Sequence, residues 1–114
     1  MSSMKKSGST VSQFEVYVIE LDPTVGAEIK KTRPCVVVSP DAINRNLTTV
    51  IVAPLTHTIK DFPSRVGCNF NKEDGQIVLD QIRSVDKKRL KKKIGKIDTD
   101  KAELVKSVLQ TMFS

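Results

Sequence analysis

The chain has 114 residues, 39% hydrophobic and 28% charged, with a net charge of +6. This length admits one modest core rather than two, and no apolar run reaches the ~20 residues that a membrane-crossing helix needs. The basic balance favours polyanionic partners: nucleic acid, an acidic protein or an anionic surface. Cys35 and Cys68 lie far apart in strand-like segments and read as reduced, buried thiols of a cytoplasmic protein. Two cysteines and the single histidine are too few for a metal site, so no metal or cofactor is expected.

Residues 1–12 are polar, rich in Ser and Lys, and without periodicity. They read as a disordered tail ahead of a single domain over 13–114. Phe14 to Leu21 (FEVYVIEL) reads as a first strand. Leu21 to Thr32 is a loop, in which Asp22-Pro23 starts a turn and Gly26 permits a positive φ. Pro34 fits the first residue of a strand or an edge and holds Arg33 extended. An apolar strand follows through Val38 and ends at Ser39-Pro40. Asp41 to Asn46 holds turn formers. Thr48 to Leu55 is a third strand, broken near Pro54, and Thr56-His57-Thr58 is a polar trio at its end.

Arg65 to Phe70 is a short strand and Asn71 to Gly75 a turn. Gln76 to Val85 is one further strand, with Asp80, Gln81 and Arg83 interrupting its buried middle. Asp86 to Lys92 reads as a helical turn, and six of the seven residues from Lys87 to Lys93 are basic. A charge run of this kind is by default a solvated face. Ile94 to Ile97 is one more short strand. Asp100, with Glu103 three residues on, fits a capping box for a terminal helix whose apolar stripe is Ala102, Val105, Val108, Leu109 and Met112. Short strands with one late helix indicate a mainly β (α+β) fold, a small curled sheet or barrel with the helix packed on it.

The chain has no phosphate-cradling glycine motif, paired metal-ligand cluster or nucleophile elbow. What remains is a set of charged and hydroxyl residues at strand ends: Glu28, Lys30, Lys31, Arg33, Thr56, His57, Asp80 and Arg83. RNA carries its own nucleophile, the 2′-OH. Cleaving it requires a proton acceptor, a proton donor for the departing 5′-oxygen, and cations for the charge on the transition-state phosphate. Arginine suits the last task because its fork binds phosphate oxygens in pairs and stays charged. Each residue also has an ordinary reading: a surface arginine, a strand-end threonine, a solvated histidine, an ion-paired aspartate, a loop glutamate.

Taken in order, Leu21-Asp22-Pro23-Thr24-Val25-Gly26-Ala27-Glu28, Arg33-Pro34, Asn44, Pro54-Leu55-Thr56, Asp80-Gln81-Ile82-Arg83 and Arg89-Leu90 resemble the MazF/PemK/Kid toxins of bacterial toxin–antitoxin pairs, over about Phe14 to Phe113. The resemblance implies an SH3-like β-barrel of the MazF/PemK/CcdB type with a C-terminal helix, assembled as a homodimer. It implies metal-independent, sequence-specific cleavage of single-stranded RNA to a 2′,3′-cyclic phosphate and a 5′-OH, and inhibition by a MazE-like, acidic antitoxin. By position, Arg33 and Thr56 match the catalytic pair. Glu28 and Asp80 match acids that support it, His57 stands where members vary, and Lys30, Lys31 and Arg83 are expected to face RNA.

The segments from Lys60 to Ser64 and from Asn71 to Gly75 are expected to help set the RNA sequence. The chain departs from the family at Phe14, where a glycine is usual, and at Ala27 and Val78, which replace a histidine and an arginine of Kid-like members. A CcdB-like gyrase poison and a non-catalytic nucleic-acid-binding barrel are the alternatives. The C-terminus, Gln110-Thr111-Met112-Phe113-Ser114, lacks the tryptophan expected of the former.

Overall fold

The computed structural model describes residues 10–21 and 32–114. The loop carrying Gly26, Ala27, Glu28, Lys30 and Lys31 therefore lies outside the described residues, as does the tail up to residue 9. At the end of the expected tail, Val11 is buried and the Ser12 N–H donates to Glu15. Among the described residues seven strands form: β1 (Glu15–Glu20), β2 (Thr32–Val37), β3 (Thr49–Thr56), β4 (Arg65–Phe70), β5 (Glu73–Val78), β6 (Arg83–Asp86) and β7 (Leu90–Lys96). Two helices join them, α1 (Asp41–Asn46) and α2 (Thr99–Met112). The antiparallel sheet runs β4-β5-β3-β2-β1-β7, with β6 also on β3. It curls into the half-barrel with a terminal helix that the sequence indicates. Among the described residues no helix is long and apolar enough to cross a membrane.

Period-two alternation builds a core on each face of this sheet. On one face Val16, Val36, Ala53, Leu55, Val66, Ile77 and Leu79 pack against Ala102 and Val105 of α2. On the other, Ile19, Cys35, Val37, Val50, Val52 and Val85 form a second cluster. Helix α2 starts two residues earlier than the capping box predicts: Asp98, not Asp100, is the N-cap, accepting from Lys101 N at 2.9 Å. Glu103 pairs instead with Lys106. Of the expected stripe, Met112 stays exposed.

Other differences from the sequence reading have local causes. Asp41 to Asn46 is a short helix rather than a turn. The buried Asn44 side chain ties it to Ser39, and Lys87 donates to the Asn44 carbonyl. The β4–β5 hairpin needs only Asn71 and Lys72, both at positive φ, so β5 starts at Glu73; this is the geometry of a type I′ turn. Phe14 sits at φ 73°, the conformation that a glycine would take without strain. It is retained as a buried core residue. The stretch from Gln76 to Val85 is two strands, broken by a 3-10 turn at Leu79–Gln81. Asp80 is therefore exposed rather than buried in a strand.

The basic run is largely stitched to the fold. Besides Lys87, Lys91 pairs with Glu20 at 3.2 Å, Lys93 with Glu15 at 2.7 Å, and Arg89 donates to the Glu20 carbonyl. Burial pushes the Glu15 carboxyl up. Lys93, the Ser12 N–H and the Tyr17 hydroxyl outweigh it and hold the group below its ordinary value of 4.5. A depressed carboxylate stabilises the fold fully above its unfolded pKa, and that contribution is lost as pH falls through the folded value. Glu15→Gln should therefore lower the urea midpoint more at about pH 7 than at about pH 3.5. Equal losses at both would sever Glu15 from acid stability.

Candidate functional site at the mouth of the half-barrel

Two prolines open the site. The Ile51 carbonyl accepts from Val38 N of the β2 side, so by alternation Ala53 and Leu55 also turn their backbone groups toward β2. Val36 and Pro34 face them, but Pro34 has no N–H to give, and the ladder ends at Cys35↔Pro54. Pro34 is thus the third residue of its strand, not the first. On the opposite edge, Pro54 falls in the gap where β3 passes from β6 (through Val52↔Arg83) to β5 (from Leu55↔Ile77). Its missing N–H breaks no pair there, so β3 runs unbroken to Thr56 instead of breaking near Pro54.

Beyond the last β2–β3 pair the strands enclose a cleft of about 300 Å³. Its lining includes Arg33, Thr56, Thr58, Arg65, Gln81 and Arg83. Continuing the β2–β3 register by two residues sets Arg33 across from Thr56. Both lie on the face of Cys35 and Val52, so the cleft continues the second core outward. Cys35 lies beneath: burial pushes its thiol up to about 12, against the opposing pull of the Arg33 and Arg83 charges. The thiol is inert at neutral pH. No carboxylate among the described residues pairs with Arg33.

The Thr56 hydroxyl accepts from Thr58 N at 3.1 Å, which leaves its own proton for an acceptor in the cleft. Its strand end is held closely, since a Cβ on Gly75 would stand 2.6 Å from the Thr56 carbonyl oxygen. Gly75→Ala must displace backbone, not a flexible side chain. It should cost about 1–3 kcal/mol and reduce activity along with stability; an unchanged melting temperature would contradict that packing.

Three sequence-predicted residues, Arg33, Thr56 and Arg83, come together in this cleft. Asp80 and His57 do not join them. Asp80 accepts from Ser64 Oγ at 2.7 Å and stands 3.4 Å from Arg65 Nε. The partner that makes it an ion-paired aspartate is Arg65. The Ser64 hydroxyl foremost, with help from Arg65, holds its carboxyl below the ordinary range, which weakens it as a base. His57 turns the other way, with Nε2 3.2 Å from Glu73 and Nδ1 3.3 Å from the Asp74 carbonyl. It lines a separate apolar recess of about 110 Å³ with Phe70 and Cys68. Sequence reasoning missed Arg65: opening a strand, it resembles any surface cation, and only the sheet's curl turns it into the cleft.

The fold and site define the class: a small curled β-barrel with a C-terminal helix and a cationic mouth. The MazE–MazF crystal structure (Form II) from Deinococcus radiodurans superposes with a TM-score of 0.78 at 23% identity, covering 91% of this chain and 96% of that one. An endoribonuclease from a mycobacterial species gives 0.76 at 22%, covering 91% of each. The chain belongs to the family of PemK-like, MazF-like toxins of type II toxin–antitoxin systems, whose model matches residues 12–113. A curated relative, endoribonuclease EndoA of Bacillus subtilis (strain 168), is 36% identical over 106 residues, covering 88% of this chain and 91% of that protein.

Proposed function

We propose that this toxin is an endoribonuclease that cleaves single-stranded RNA by in-line attack of the 2′-OH, and that Arg33 and Thr56 are its catalytic residues. The observation that carries the reading is the convergence of Arg33, Thr56 and Arg83 on one cleft. Kinship with an endoribonuclease at 36% identity supports it. The 2′-oxygen bonds to phosphorus as the bond to the 5′-oxygen breaks, giving a 2′,3′-cyclic phosphate and a 5′-OH. Arg33 binds the non-bridging oxygens on which negative charge grows, Arg83 adds field, and Thr56 donates its hydroxyl proton to one of those oxygens. Asp80 serves as an anchor for Arg65 rather than as the base. Glu28, whose place is outside the described residues, is the remaining acid that the resemblance offers for proton transfer, and the same resemblance offers Lys30 and Lys31, also outside the described residues, for contact with RNA.

The active unit is a cytoplasmic homodimer silenced by an acidic antitoxin. Solved relatives support the last point, since one is an endoribonuclease in complex with its cognate antitoxin. Purified protein incubated with total RNA in EDTA should generate new 5′-OH ends within one short sequence motif. RNA left intact at protein concentrations that retain it would reduce the molecule to a binding barrel, and gyrase inhibition without cleavage would make it a DNA-replication poison.

A further inference from the structure

The segment from His57 to Ser64 borders the cleft and exposes two large apolar side chains, Ile59 and Phe62, the latter 49% exposed. A half-exposed phenylalanine is ordinary by itself. Its mounting is not. The Gln76 carboxamide clamps Lys60 from both sides, accepting from its N–H at 3.0 Å and donating to its carbonyl at 2.9 Å. The Phe62 carbonyl accepts from Arg65 N at 3.1 Å, and Ser64 is tied to Asp80.

Against the Phe62 ring lies the Arg65 guanidinium, 5.2 Å from its centroid. Only 9% of the Arg65 side chain is exposed, yet its Nε makes no hydrogen bond: Asp80 Oδ1 stands at 3.4 Å. Nη1 shares the Gln76 oxygen at 3.3 Å. Asp80 pairs with the charge and Gln76 takes one N–H, but the buried Nε is left without a well-aligned hydrogen-bond partner, which carries a desolvation cost. Arg65 is also a wall of the cleft. A rigid aromatic ring, backed by a cation on one side and open on the other, is the usual platform for a stacked base of single-stranded nucleic acid.

We propose that Phe62, backed by Arg65, is a nucleotide subsite. The open ring face stacks the base of the nucleotide next to the scissile phosphate, and Arg65 contributes its charge to that nucleotide's phosphate. This rests on the endoribonuclease reading. The probe is an oligoribonucleotide carrying the mapped cleavage motif, with a 2′-deoxy nucleotide at the scissile position so that it binds uncut. Abasic residues are then placed one by one along it. With wild-type protein, one position flanking the scissile phosphate should lose about 5- to 100-fold in affinity.

Phe62→Ala should weaken the intact oligonucleotide by a similar factor and show no further loss at that position, while Phe62→Trp keeps both. On cleavable RNA, Phe62→Ala should raise KM and leave kcat nearly unchanged. Phe62→Leu, which keeps the volume but not the π-face, guards against loss of fold and should behave like Phe62→Ala. Wild-type affinity in Phe62→Ala, or an abasic penalty that persists in it, would overturn the subsite while cleavage stands. Failure of the wild type to cut the all-ribo oligonucleotide would instead overturn the nuclease reading and the subsite with it.

Discussion

Arg33→Ala should lower kcat by about 10³-fold and leave the melting temperature unchanged. Removing one preorganised donor to a developing oxyanion typically costs about 10²–10³, and an arginine on a transferring phosphoryl group is worth still more. The fold should not suffer, because no carboxylate among the described residues pairs with this side chain, and Pro34, not the guanidinium, shapes the backbone here. Arg33→Lys keeps the charge but loses the planar fork, so it should restore only part of the rate. Single-turnover cleavage of a labelled oligoribonucleotide measures this directly. An Arg33→Ala protein that cuts within tenfold of wild type would remove Arg33 from the mechanism.

Thr56→Val should cost about 10²-fold in kcat with little change in KM. The substitution preserves shape and strand propensity and deletes the hydroxyl. It also deprives Thr58 N of its acceptor, but Thr58 is exposed and water replaces the bond. A loss confined to kcat would mark a contact made as charge builds on the phosphate, whereas a rise in KM alone would mark ordinary ground-state binding. Thr56→Ser, which keeps the donor, should recover most of the rate. If valine and serine behave alike, the hydroxyl is a strand-end feature with no part in the chemistry.

The two substitutions also separate the cleft from its supports. Asp80 and Gln76 touch Arg65, not Arg33. His57 belongs to the hairpin side with Glu73 and Asp74. Substituting His57 should therefore leave kcat close to wild type, in contrast to ribonucleases that depend on an imidazole.

Much of this molecule is written locally. Val36 to Val38, the β-branched and aromatic run of β1, the Arg65 to Phe70 strand and the stripe of α2 announce themselves, because burial selects apolar runs or stripes that the order of residues reveals. Arg33 before Pro34 and Thr56 after Pro54-Leu55 were likewise visible, since each proline marks a place where the backbone has no N–H to give a neighbouring strand. Pairing geometry decided the rest. No local pattern states that Pro54 falls between two ladders, so β3 was expected to break near it. Nor does one state that Asp80 lies on a 3-10 turn beside Arg65, or that a run of lysines is consumed by Glu15, Glu20 and the Asn44 carbonyl. Those outcomes depend on which strands the curled sheet brings side by side, and contacts between residues distant in sequence exist only once it has closed.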